Sequence, residues 1–328
     1  MMPTPISAIL ATLTIIFSLA LSHTSKAADA YPSRPIRMIV GLAAGGPSDL
    51  LARTVAQGLE KELPGTIVVE NKPGAGGIVA ATSIVQSPAD GYTIEFAAMP
   101  AMVFVPLLNR QLPYVRERDF TPIGTIASYD LFLFSNPTLP IANFAGLVKL
   151  AKSTPGELTF GSGGVGTSNH LVGELMKRMA GIEITHVPYK GNVMAQQDVI
   201  AGRVSMMFDF LSTSKQFVEA GKLRLLAATG KVRSRFAPQT PTLDEEGLHG
   251  FEMSAWFGLS VRAGTPTDVV LKLNAALNNV LKTDDMVQQL TKQGYDAVLS
   301  SPSEMAARLE IDKARWAPVI LASGIKIQ

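Results

Sequence analysis

Beginning at Ile36, short runs of β-branched and apolar residues alternate with stretches of helical periodicity, and this alternation limits the fold more than any other feature of the sequence. "IRMIV", Ile36 to Val40, precedes a helical pattern over Leu50 to Leu63; "TIVVE" precedes one over Ile78 to Gln86; "YTIEF" follows. Strands separated by helices of this length build parallel βαβ units. The pattern returns later. "ELTFGS" leads to a helix over Ser168 to Ala180, "IEITHV" to one over Asn192 to Ala201, and "RVSMMFD" to one over Ser214 to Ala220, with "LRLLAAT" as a further strand.

Two long extended stretches frame this second set: "PIGTIASYDLFLFSNP", Pro122 to Pro137, and "FEMSAWFGLSVRA", Phe251 to Ala263. They imply that the chain leaves one domain, builds another and returns. Helical patterns at Thr267 to Leu281 and Ser303 to Ile320 then cover the first domain. The expected architecture is two-lobed α/β, with residues 31–128 plus 253–328 in one lobe and 129–252 in the other. At 328 residues the chain exceeds the usual span of a single core, about 250 to 300 residues. A two-crossing hinge permits closure around a ligand.

Residues 1–30 are expected to be a signal peptide. An apolar run from Ile6 to Leu21 is followed by small residues, with cleavage after Ala27 or Ala30, although no Lys or Arg precedes the run. A short membrane anchor is the other reading. The sequence holds no cysteine, which excludes a thiolate nucleophile, disulfides, a cysteine metal site and a lipidated cysteine. Lys and Arg number 29 against 27 Asp and Glu, with no basic stripe, so nucleic acid is a poor partner. An exported, periplasmic protein is expected.

Three glycine-rich loops follow strand-like runs. Gly41 to Gly46 has the spacing of a phosphate loop, but Pro47 and Ser48 stand where Lys and Ser or Thr belong. The loop remains suited to close backbone approach at Gly45 and Gly46, with Ser48 or Asp49 as a cap. The second, "GSGGVGTSNH", matches the dinucleotide fingerprint at Gly161, Gly163 and Gly166, with Glu183 about 20 residues on. A dinucleotide-dependent oxidoreductase is therefore the alternative reading, although Glu183 begins its strand rather than ending it. The third, Asn71 to Ala81, is equally a tight turn or a ligand contact.

Hydrolase and zinc chemistry find little support. No G-x-S-x-G elbow occurs, and His23, His170, His186 and His249 show no metal spacing. Asp209 ends a strand, where α/β sheets bind ligands, and is read as either a helix cap or a functional group that accepts from the ligand or fixes the Gly161 loop.

In order and spacing, "YPSRPIRMIV", "AGGPSD", "VVENKPGAGG", "DGYT", "GTSNHL", "HVPYKG", "MFD" and "AGTP" resemble the Bug or TctC-type periplasmic receptors of tripartite tricarboxylate transporters, across the mature chain. The resemblance implies a Venus-flytrap fold, no catalysis, no cofactor, and capture of a small carboxylate between lobes by backbone amides, hydroxyls and bridging waters. It implies contacts from Ala44, Gly45, Gly46, Ser48 and Asp49 on one side. On the other it implies Ser162, Gly166, Thr167, Ser168 and His170, with Tyr189 and Asp209 nearby; Gly163 belongs to the same loop. A monomer serving membrane permease subunits or a sensor protein is expected.

Two departures bear on the ligand. Small groups, Gly41, Leu42 and Ala43, replace the proline-aromatic run such receptors carry, and "AAMPAM", Ala97 to Met102, replaces a hydroxyl-rich turn. Losing those hydroxyls while gaining Met99 points to a distal pocket that favours an apolar or aromatic monocarboxylate over a citrate-like polyacid, the other reading being that Met99 packs in the lobe interior; Leu42 and Ala43 are counted with Met99 among the ligand contacts. Trp256 faces either the cleft or the core.

Overall fold

The computed structural model describes residues 31–109 and 111–323; the leader read over residues 1–30 lies outside them. The chain opens with β1 (Ile36–Val40), α1 (Pro47–Glu62), β2 (Ile67–Asn71), α2 (Ile78–Val85) and β3 (Thr93–Ala98). A helical segment, Pro100–Leu108, begins with an i→i+5 turn and replaces the turn expected over Ala97 to Met102. Next, β4 (Phe120–Asp130) and β5 (Phe132–Ser135) divide the first extended stretch at Leu131.

The second set comprises α3 (Phe144–Ser153), β6 (Thr159–Ser162), α4 (Ser168–Ala180), β7 (Thr185–Pro188), α5 (Asn192–Ile200), β8 (Met206–Asp209), α6 (Leu211–Glu219) and β9 (Arg224–Ala228). The chain then forms β10 (Ser254–Arg262), α7 (Thr267–Lys282), α8 (Asp284–Lys292), β11 (Asp296–Ala297) and α9 (Pro302–Ser323).

Two sheets result, ordered β11-β4-β10-β3-β1-β2 and β7-β6-β8-β5-β9. Within the first, β1 is parallel to β2 and β3, Ile36 opposite Ile67 and Arg37 opposite Thr93. Within the second, β6 is parallel to β7 and β8. Each parallel trio therefore has its earliest strand at the centre, so consecutive crossovers run to opposite sides of it. The loops after β1 and β6 leave at such switch points, where α/β sheets open a crevice. The antiparallel strands join the lobes. β10 lies wholly in the first sheet, between β3 and β4, so the return from the second sheet is completed before it.

Local chemistry explains the helix that matters most for the site. Thr167 caps α4 by accepting from the His170 N–H, Lys177 and Arg178 suit the negative C-terminal end, and Gly181, with φ of 60°, ends the helix. Its inner face buries Leu171, Val172 and Met176. Gly173 lets α4 approach β6 closely, since a Cβ there would lie 2.3 Å from the Phe160 ring. The core behind β5 and β8 includes buried Phe132, Phe134, Val199 and Met207; each such side chain contributes about 1.5 to 3 kcal/mol. Trp256 belongs to the core as well: it is fully buried and its Nε1–H donates to Asp312 Oδ2 at 2.7 Å. Among the described residues no helix is long and apolar enough to cross a membrane.

Candidate ligand cleft

The first side of the cleft starts at the loop between β1 and α1. Pro47 occupies the first turn of α1, as its fixed φ allows, and Gly45 bends the loop with φ of 80°. Asp49 does not cap the helix conventionally; Gly46 holds the cap position without a side-chain bond. Instead Asp49 Oδ2 accepts from Gly45 N–H at 2.9 Å and from Arg53 Nε at 3.0 Å, while Oδ1 accepts from Asn71 Nδ2 at 2.9 Å. Asn71 Nδ2 also donates to the Leu42 carbonyl at 3.0 Å. Burial opposes the Asp49 charge, yet the bonds from Arg53, Gly45 and Asn71 hold its carboxyl below the ordinary range. Asp49 is thus a staple that fixes the loop, and it is not in the wall of the cavity described below.

The second side is the loop between β6 and α4. Ser162 is fully buried and its hydroxyl meets His186 Nε2 at 2.7 Å and the Gly164 N–H at 3.1 Å. His170 Nδ1 accepts from Gly166 N–H at 3.1 Å, and its ring stacks on His186 with centroids 3.8 Å apart. Burial, before any charge, pushes His170 down to about 3 and His186 down to about 4. Both imidazoles are neutral at pH 7, and His170 keeps its acceptor lone pair toward Gly166. Tyr189 donates its hydroxyl to Asp198 Oδ2 at 2.6 Å; burial and that bond push it up to about 12. Ser162, His170 and Tyr189 thus bond within their own lobe, and none of the three is in the wall of the cavity described next.

Between these loops lies a cavity of about 1050 Å³. Of the expected residues its wall contains Leu42, Ala43, Ser48, Gly163, Gly166, Thr167, Ser168 and Asp209. Ala44, Gly45 and Gly46 form the outer bend of their loop and lie outside this wall. Met99 is 1 % exposed and turned into the first lobe, so Ala97, Ala98, Pro100 and Ala101 supply the apolar surface expected of it. Leu42, Val165 and Val193 add exposed apolar side chains to the wall, 39 %, 47 % and 66 % exposed.

Asp209 settles into a supporting position too, although it reaches the wall. Its Oδ1 accepts from Asn192 Nδ2 at 2.7 Å; Oδ2 accepts from Thr213 Oγ1 at 2.9 Å, Ser214 Oγ at 3.0 Å and Gln196 Nε2 at 3.2 Å. Burial raises its carboxyl despite these donors. Asn192, Gln196 and Thr213, all in the wall, are oriented by it. Gly163 is required by the same cluster, because a Cβ there would stand 2.4 Å from Asn192 Oδ1.

Residues that sequence reasoning left out complete the surface. The glycine turn Pro73 to Gly77 lines it. Tyr129, near the end of β4, packs on Phe210 and Phe257 at centroid distances of 4.8 and 5.1 Å, and its hydroxyl lies beside Ser168. Lys190 places a cation in the wall. The starts of α1, α4, α5 and α6 converge there through Ser48, Thr167 to Asn169, Gly191 to Val193, and Phe210 with Thr213. Unpaired N–H groups and the positive ends of helix dipoles favour an anion at this point. The remaining wall is largely apolar.

Neither competing chemistry gains support. Glu183 precedes β7 and its carbonyl accepts from Gly156 N–H, at the opposite end of the strand from the Gly161 loop, so it is not placed for a ribose. Among the described residues no cluster of three or more His, Asp or Glu is arranged for a metal ion.

Comparison with known proteins agrees with this geometry. Residues 51–325 match the family described as "Tripartite tricarboxylate transporter family receptor". Protein BugT of Bordetella pertussis is 32 % identical over 321 residues, covering 98 % of both chains. A protein of R. palustris solved with adipate is 35 % identical with a TM-score of 0.82, covering 90 % of this chain and 99 % of its own. MatC from Rhodopseudomonas palustris, solved with bound malate, is 29 % identical with a TM-score of 0.78, covering 88 % of this chain and 100 % of its own.

Proposed function

Because the chain belongs to the tripartite tricarboxylate transporter receptor family, a family of non-catalytic solute-binding receptors, we propose that it captures a small carboxylate in this cleft. The observation that carries the reading is the meeting of four helix N-termini in one apolar-walled cavity. Each contributes about 0.3 to 1 kcal/mol toward a bound anion. The carboxylate sits between Ser48 on α1 and Thr167 and Ser168 on α4, with Asn192 and Thr213 held ready by Asp209. The lobes, residues 31–128 plus 253–328 and residues 129–252, close over it about the crossings.

Adipate and malate in the R. palustris relatives support a small organic acid as the class of ligand. The wall here, with Leu42, Val165, Val193 and the alanines of the Ala97–Ala101 stretch, favours an acid with an apolar body over a citrate-like polyacid. The leader directs the chain to the periplasm, where, as a monomer, it delivers the ligand to membrane permease subunits or to a sensor.

Mass spectrometry of small molecules released from the purified protein on denaturation tests the reading. A carboxylate with a largely apolar body is expected; a nicotinamide dinucleotide would overturn it. A tricarboxylate that binds more tightly than every branched or aromatic acid in a calorimetric panel would overturn the preference.

A further inference from the structure

One patch of the cleft wall is turned to accept hydrogen bonds. On the reading of the cleft as a carboxylate site, we infer that the ligand also carries a hydroxyl group, which donates to side chains among Asn192, Gln196 and Thr213 on α5 and α6. These residues line the cavity of about 1050 Å³ together. Their orientation follows from Asp209, which is 2 % exposed and lies behind them.

A carboxylate turns donors toward itself and leaves acceptors pointing away. Gln196 Nε2 donates to Ser214 Oγ at 2.8 Å and to Asp209 Oδ2 at 3.2 Å, with the Thr213 carbonyl at 3.4 Å. Flipping this amide would set Oε1 against a carboxylate and a carbonyl, so its orientation is fixed. Asn192 is fixed in the same way, by its Nδ2 bond to Asp209 Oδ1 at 2.7 Å. Thr213 has one hydroxyl hydrogen, and it is held by Asp209 Oδ2 or the Phe210 carbonyl, each at 2.9 Å. Among the described residues nothing donates to Gln196 Oε1 or Asn192 Oδ1. Gln196 is only 7 % exposed, and buried polar groups are rarely left unpaired. Asn192 Oδ1 stands beside Gly163, itself in the wall.

The surroundings select the kind of donor. The first N–H groups of α5 and α6 are donors close to these acceptors, so a group that both donates and accepts is matched on both counts. A hydroxyl does both. An ammonium only donates, and Lys190 in the same wall brings a like charge. A second carboxylate only accepts and would face the amide oxygens.

The test is calorimetry on the purified full chain with ω-hydroxy acids from 4-hydroxybutanoate to 6-hydroxyhexanoate and with the unsubstituted acids from butanoate to hexanoate. At the length that spans the cleft, the hydroxy acid is expected to bind about three- to tenfold more tightly than the alkanoate of equal carbon number, the value of one neutral hydrogen bond. Its ω-methoxy analogue keeps the oxygen but cannot donate, and should lose the gain. Gln196→Met removes an acceptor at similar size and should cancel the gain while alkanoate affinity stays within about threefold; Asn192→Ala, as a second variant, should reduce it likewise. A merely structural role would shift both acids alike. Hydroxy acids that gain nothing at any length while alkanoates bind would overturn the hydroxyl assignment and leave the carboxylate site standing. A methoxy analogue that keeps the gain, an undiminished gain in both folded variants, or tighter binding of 6-aminohexanoate than of 6-hydroxyhexanoate would also overturn it. Failure of both series to bind would remove the carboxylate reading of the cleft, and the hydroxyl assignment with it.

Discussion

Leu131 and Thr229 exchange two hydrogen bonds where the chain passes between its sheets: Leu131 N–H donates to Thr229 Oγ1 and Thr229 N–H donates to the Leu131 carbonyl, each at 2.9 Å. Thr229 Oγ1–H donates onward to the Met253 carbonyl at 2.7 Å, and Met253 N–H returns to the Thr229 carbonyl at 2.8 Å. One buried threonine thus ties the outgoing crossing to the returning one.

Replacing that hydroxyl should be costly. Thr229→Val leaves a buried N–H and a buried carbonyl without their partner and is expected to lose about 2 to 4 kcal/mol of stability by chemical denaturation. Thr229→Ser keeps the hydroxyl and should recover most of it. Equal losses in the two variants would show that packing, not the bonds, holds the crossings.

Asp209→Ala removes the acceptor shared by Asn192, Gln196, Thr213 and Ser214. Carboxylate affinity should fall by about tenfold or more as Asn192 and Thr213 lose their orientation, and stability by about 2 to 4 kcal/mol. Calorimetry alongside denaturation checks both, and unchanged affinity would reduce Asp209 to a structural role.

Gly163→Ala presses on the same cluster from the other side, since its Cβ would stand 2.4 Å from Asn192 Oδ1. Binding should weaken by about tenfold while stability changes by about 1 to 3 kcal/mol, the usual cost of overpacking. Calorimetry alongside denaturation checks both, and wild-type affinity in folded Gly163→Ala would contradict the need for a fixed Asn192.

The stacked His170–His186 pair sets a pH dependence. Burial depresses both pKa values from 6.5, to about 3 and about 4, so the unfolded chain takes up protons that the folded chain refuses. Their contribution is fully present above pH 6.5 and is lost as pH falls toward the folded values, each histidine adding up to about 1.4 kcal/mol per pH unit. His170→Asn preserves an acceptor for Gly166 and should flatten stability between pH 6.5 and 5. An identical slope in wild type and variant would contradict the assignment.

The sequence carried much of this architecture. The 36–40 strand and the 168–180 helix appear at their expected bounds, because β-branched runs and a Thr cap with a Gly stop are local signals. The loops that line the cavity were legible in the sequence, and the partners of their side chains were not. His170, Ser162 and Tyr189 carry polar groups in the right segments, but their partners, Gly166, His186 and Asp198, are fixed by packing. Met99 follows two alanines at the end of a strand, and only the helical turn after it decides that its side chain points inward. Tyr129 escaped notice because a tyrosine within an extended run has no signature until β4 is placed beside β10 at the crossing.

Calorimetric titration of the purified protein with the tightest acid from a carboxylate panel, and then with its methyl ester, measures the central claim directly. The helix N-termini that converge on the cleft act on charge, so the acid should bind one to one with micromolar or tighter affinity and the ester at least about a hundredfold more weakly, the loss of one or two charge-assisted bonds. An ester that binds as tightly as its acid would contradict an anion site between the lobes.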